Sequence, residues 1–99
     1  MMTLNELIDS LLPVVEESPI KKLIVFGSYA RGDATNDSDI DIVIDSDGKL
    51  NGMNFFIYAD KLAKALPVKS DIFEFIEIKK PSSLYTRILN EGVVIYERA

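Results

Sequence analysis

The six residues from Asp39 to Ile44 read Asp-Ile-Asp-Ile-Val-Ile. Alternation of charged and β-branched side chains has a period of two, and a β-strand is the element that sorts such a pattern onto separate faces. A helix would scatter both sets around its axis. The segment therefore sets one strand, and a strand needs partners. Its apolar face (Ile40, Ile42, Ile44) must be covered by other parts of the chain. The opposite face carries Asp39 and Asp41, with Cα atoms about 6.6 Å apart at two strand rises. Two like charges on one strand face repel. A divalent cation, which favours carboxylate oxygens, relieves that repulsion.

The rest of the chain supplies candidate partners. Thr3 and Glu6 have capping-box spacing and open the apolar pattern Leu4, Leu7, Ile8, Leu11, Leu12, Val15, an amphipathic helix that Pro13 should kink or divide and Pro19 should end. Lys21–Phe26 reads as a buried strand ending at Gly27. Residues 28–38 read as a polar loop with one helical turn near Tyr29–Arg31. Gly48 and Gly52 bracket a turn. Met53–Leu66 has helical spacing, with Phe56, Ala59, Leu62, Ala63 and Leu66 on one face and Pro67 as its end. Asp71–Ile78 alternates as a third strand. Pro81–Glu91 reads as a short helix with Leu84, Ile88 and Leu89 inward and Gly92 as terminator. Val93–Tyr96 is a last, edge strand. The order α-β-β-α-β-α-β predicts an α/β (α+β) fold, a mixed sheet covered by helices on at least one side.

Length and composition limit the chemistry. A chain of 99 residues fits a single small domain, expected to span 1–99, and is too short for a TIM barrel or a complete dinucleotide-binding fold. It has no Cys and no His, which excludes disulfides, thiolate catalysis, a histidine base and a Ser-His-Asp triad, and disfavours structural zinc. A metal would meet oxygen ligands, so Mg²⁺, Mn²⁺ or Ca²⁺ are the candidates. Glu6 and Asp9 replace a basic leader, and no apolar run approaches the roughly 20 residues that span a bilayer. A cytoplasmic protein with no membrane partner is expected. The 16 Asp and Glu against 11 Lys and Arg give a net charge of −5, which disfavours direct nucleic-acid binding.

Six acidic residues fall between Asp33 and Asp47, and Asp33, Asp37, Asp45 and Asp47 read as turn chemistry and solubility. A third carboxylate for the Asp39–Asp41 face has two sources. Alternation places Asp71, Phe73 and Phe75 on one face of the third strand and Ile72, Glu74 and Ile76 on the other, and periodicity alone does not choose between Asp71 and Glu74. Gly27-Ser28 follows the first strand, where Gly permits a tight turn and Ser offers a hydroxyl and a backbone N–H to a phosphate. Arg31 is a further phosphate candidate. The P-loop and the GxGxxG fingerprint are absent.

Gly27-Ser28, ten residues, then Asp39-Ile40-Asp41 and a later strand with another acid together resemble the nucleotidyltransferase superfamily of DNA polymerase beta. The stretches GSYARGDATNDSDIDIVI and KSDIFEFIEIKKPSSLYTRILNEGVVIYE are similar to the minimal nucleotidyltransferases of prokaryotes. The resemblance implies a small nucleotidyltransferase domain. Gly27 and Ser28 match the nucleotide-phosphate turn, with Arg31 in the signature beside it. Asp39 and Asp41 match the carboxylates that hold two divalent cations, Mg²⁺ or Mn²⁺ in its place. Ser70-Asp71-Ile72-Phe73 matches the later strand, making Asp71 the third catalytic and metal-binding carboxylate. The substrate implied is ATP. The partner implied is a HEPN-domain toxin, with AMP attached to one of its tyrosines by this chain as antitoxin. Two alternatives stand beside it: a noncatalytic antitoxin that neutralises by binding, and transfer to a small molecule such as an aminoglycoside.

Overall fold

The alternating segment is the second strand of a four-stranded sheet in a computed structural model that describes residues 3–98. The elements are α1 (Leu4–Glu16), β1 (Lys22–Phe26), α2 (Ser28–Arg31), β2 (Ile40–Asp45), α3 (Met53–Ala65), β3 (Ser70–Glu74), a 3₁₀ turn (Phe75–Glu77), α4 (Ser83–Glu91) and β4 (Val93–Glu97). The strand order is β3-β2-β1-β4, with β2 and β4 antiparallel to β1 and β3 parallel to β2. The sheet is therefore mixed, and β4 lies at its edge.

Alternation in β2 sorts two cores. Ile40, Ile42 and Ile44 are fully buried with Leu7, Leu11 and Val15 of α1 and Phe55 and Leu62 of α3. Val43, on the aspartate face, packs with Phe26, Ile78 and Ile88 of α4 in a smaller second core. The aspartate face is thus covered by α4 over part of its length, and Asp39 and Asp41 lie at the open end.

Four expectations change. Pro13 does not divide α1, which runs unbroken from Leu4 to Glu16. Pro13 is exposed, while Leu11 and Val15 on either side are anchored in the core. The third strand stops at Glu74 instead of Ile78. Its last parallel pair is Glu74 with Ile44, and Phe75 then enters a 3₁₀ turn and packs on Tyr85. The inward face of α3 is Phe55, Leu62 and, just past its end, Leu66, a cleaner i, i+7, i+11 series than one through Phe56, which is 65 % exposed. Leu89 also faces solvent, leaving Ile88 as the buried anchor of α4. The helix α4 starts at Ser83 because the Ser82 hydroxyl accepts from the Tyr85 N–H at 3.0 Å. Gly92 ends it in an ordinary backbone conformation; a Cβ there would press against Ile24 and the Ile88 carbonyl.

Candidate active site

Register pairs two of the three predicted carboxylates. Asp41 is the cross-strand partner of Phe26, the last residue of β1, and of Asp71 on β3. Asp71 and Phe73 share the Asp41–Val43 face, as the 5.9 Å approach of the Phe26 and Phe73 rings shows. Glu74 has the opposite phase. It lines an apolar groove of about 410 Å³ with Phe55, Phe56 and Ile72, where burial and then Glu77 push its carboxyl upward. Asp39 precedes β2, is exposed, and lies close enough to Asp41 to act on its charge.

The turn after β1 closes on the same carboxylates. Gly27 has φ of 78°, in the region that favours glycine, and a Cβ there would overlap the Asp41 carboxylate. Both facts require glycine. Ser28 then opens the short helix α2, which Gly32 ends in the left-handed conformation. Tyr29 of this turn packs into the α1–α3 core, 6 % exposed. Arg31 donates from Nε to Asp33 at 3.1 Å and from Nη1 to Glu91 at 3.0 Å. Its guanidinium ties the turn to α4 in this structure.

Electrostatics mark Asp41 as the centre. Burial pushes its carboxyl above the usual range, Asp71 adds to this, and Asp39 and Glu91 contribute further, while Arg87 acts in the opposite direction. Carboxylates crowded so that one resists ionisation are what a cation relieves, and all three donors are hard oxygens suited to Mg²⁺. Among the described residues, no three His, Cys, Asp or Glu side chains form a ready-made metal-holding group. Mg²⁺ does not demand one, since it is commonly held by one or two carboxylates together with waters and substrate phosphates. The donor set fits Mg²⁺ arriving with a nucleotide.

Two residues at the site escaped the sequence reading. Glu91 accepts from the Gly27 N–H at 3.2 Å and from Arg31, bridging α4 to the turn. Arg87, one helical turn earlier, lies over the Phe26 ring at 5.4 Å. Their i, i+4 spacing is an ordinary helix-surface pattern. Only the long-range packing of α4, 64 residues from Gly27, gives it meaning.

The profile of the polymerase beta nucleotidyltransferase family matches residues 9–99, and the chain belongs to that family. It is a nucleotidyltransferase. Among its relatives, the protein provisionally named protein adenylyltransferase MJ0604 of Methanocaldococcus jannaschii is 43 % identical over 84 residues, covering 78 % of this chain and 79 % of its own. Protein adenylyltransferase MntA of Thermococcus cleftensis is 31 % identical over 100 residues, covering 96 % and 98 %. In fold, the chain is similar to a toxin–antitoxin crystal structure with AMP-PNP, at TM-score 0.75 and 22 % identity over 92 % of this chain and 73 % of that one. It is also similar to the complex of a tri-AMPylated Shewanella oneidensis HEPN toxin with its MNT antitoxin, at TM-score 0.70 and 19 % identity over 95 % and 72 %. No helix among the described residues is long and apolar enough to cross a membrane.

Proposed function

We propose that this chain transfers AMP from ATP to a tyrosine hydroxyl of a HEPN-fold partner protein and acts as the antitoxin of that pair. The observation that carries the reading is the cross-strand pairing of Asp41 with Asp71 beside the Gly27-Ser28 turn. It puts two carboxylates and a glycine-lined turn on one open end of the sheet, with Asp39 alongside. Relatives named protein adenylyltransferase support AMP as the transferred group. The AMPylated HEPN toxin in complex with a similar fold supports the acceptor class.

The residues divide the work. Ser28, through its hydroxyl and the N–H groups of the turn, holds the outer phosphates. Asp39, Asp41 and Asp71 would hold Mg²⁺, which when bound neutralises phosphate charge and lowers the pKa of an acceptor hydroxyl. Asp71, on the outer strand, orients the acceptor and takes its proton. The acceptor oxygen attacks the α-phosphorus in line, and pyrophosphate leaves. Exposed Met53, Phe56 and Ile57 on α3 give an apolar strip for contact with the partner.

The test compares ATP labelled at the α-phosphorus with ATP labelled at the γ-phosphorus, incubated with Mg²⁺, this chain and a HEPN-fold partner. Only the α-label should become protein-bound, and Asp41→Asn should abolish it. Neutralisation of the partner without nucleotide, and without covalent label, would establish binding alone as the mode of action.

A further inference from the structure

Helix α4 brings a cation, Arg87, to the open end of the sheet beside Gly27 and Asp41. The Arg87 guanidinium lies over the ring of Phe26, the residue immediately before Gly27, at 5.4 Å from the ring centre. Its Nη2 is 3.6 Å from where a Cβ on Gly27 would stand, the same position that would overlap the Asp41 carboxylate. The guanidinium is therefore directed at the Gly27–Asp41 corner. Its Coulombic pull on Asp41 agrees with that placement.

Its donors remain largely uncommitted. The nearest carboxylate, Glu91, approaches Arg87 Nε only to 3.8 Å, because the same carboxylate already accepts from Gly27 at 3.2 Å and Arg31 at 3.0 Å. Half of the Arg87 side chain is exposed. Arg31 is the opposite case, with two of its nitrogens engaged by Asp33 and Glu91. Of the two arginines beside the Gly27 turn, Arg31 fastens the turn and Arg87 keeps its planar fork for an incoming anion. The cation–π contact with Phe26 keeps the guanidinium at this corner, and its fork of donors suits bidentate contact with phosphate oxygens.

We propose that Arg87 contacts the β- and γ-phosphates of the nucleoside triphosphate and stays with pyrophosphate as it leaves. This rests on the nucleotidyl-transfer reading above. In the step concerned, the acceptor oxygen bonds to the α-phosphorus and the bond from that phosphorus to the α,β-bridging oxygen breaks. The electron pair goes to pyrophosphate and the acceptor proton to Asp71. Arg87 offsets the charge that develops on the departing group.

Calorimetric titration of the wild type, Arg87→Ala and Arg87→Lys with ATP, pyrophosphate and AMP, each with Mg²⁺, tests this. Arg87→Ala should bind ATP and pyrophosphate about tenfold or more weakly, the order of one charge-assisted phosphate contact, and AMP nearly as the wild type does. Arg87→Lys, which keeps the charge but loses the fork, should fall between. Unchanged ATP and pyrophosphate binding in Arg87→Ala overturns the assignment and leaves the transfer reading intact. So does an equal loss for all three ligands, which marks a structural role. Failure of the wild type to bind ATP would instead remove the reading on which the assignment rests.

Discussion

Asp41 carries two opposed duties, and its surroundings predict how each responds to substitution. Burial and the neighbouring Asp71 raise its carboxyl, so the folded state holds the Asp41 proton more tightly than the unfolded chain does. Its contribution to stability is then full below the unfolded pKa and is lost as pH rises through the folded one. Metal-free Asp41→Asn should therefore melt higher than the wild type at neutral pH, with the gap closing in acid; thermal denaturation across pH 4 to 7, a window taken from carboxylate pKa values of about 4 raised by burial, checks it. The same variant should lose transfer activity by about a hundredfold or more in a steady-state assay. Gly27→Ala should behave differently, losing stability as well as activity. The positive φ and the overlap with Asp41 together should cost more than ~1 kcal/mol in a denaturant titration. The aspartates and the glycine were legible because their chemistry is written in local spacing. Glu91 and Arg87 were not, since what makes them site residues is the distance they span in sequence.

The helices show what periodicity can and cannot assign. In α3 the sequence admits two apolar phases, one through Phe55 and one through Phe56, and packing against α1 selects the first. Leu62→Ala should therefore cost about 2–5 kcal/mol, while Leu89→Ala on the exposed side of α4 should stay within about 0.5 kcal/mol, both measured by urea unfolding. The third strand ends before its alternation does, for a related reason. Alternation through Ile76 and Ile78 continues in the sequence, but the parallel pairing stops at Glu74 and the chain enters a 3₁₀ turn at Phe75. A further tie is invisible in any local pattern. Arg98 donates to the carbonyls of Val15, Glu16 and Ser18, capping the end of α1 from the far terminus of the described chain. Arg98→Ala should lower stability by about 1–3 kcal/mol, with exchange of the amides in the last turn of α1 accelerating first in hydrogen-exchange measurements.

At the scale of the molecule, one sheet has two unequal sides. Helices α1 and α3 bury one face, whereas α4 covers only part of the other and leaves the aspartate end open. That division was foreshadowed by the Asp-Ile-Asp-Ile pattern, because a strand with three buried isoleucines opposite two aspartates belongs at a boundary between core and solvent. The placement of α4, and with it the cationic and acidic residues around Gly27, came only from tertiary packing. The apolar strip of α3 lies outside both cores, so Phe56→Asp should leave the fold intact by circular dichroism yet weaken association with the HEPN-fold partner about tenfold or more, as expected for an aromatic interface anchor. On the proposed function, the open end of the sheet modifies its partner covalently. Intact-mass spectrometry of that partner, after incubation with this chain, ATP and Mg²⁺, measures it directly. The predicted result is a gain of one or more AMP moieties, located to tyrosine and absent with Asp41→Asn. A partner of unchanged mass that the wild-type chain nevertheless neutralises would contradict it.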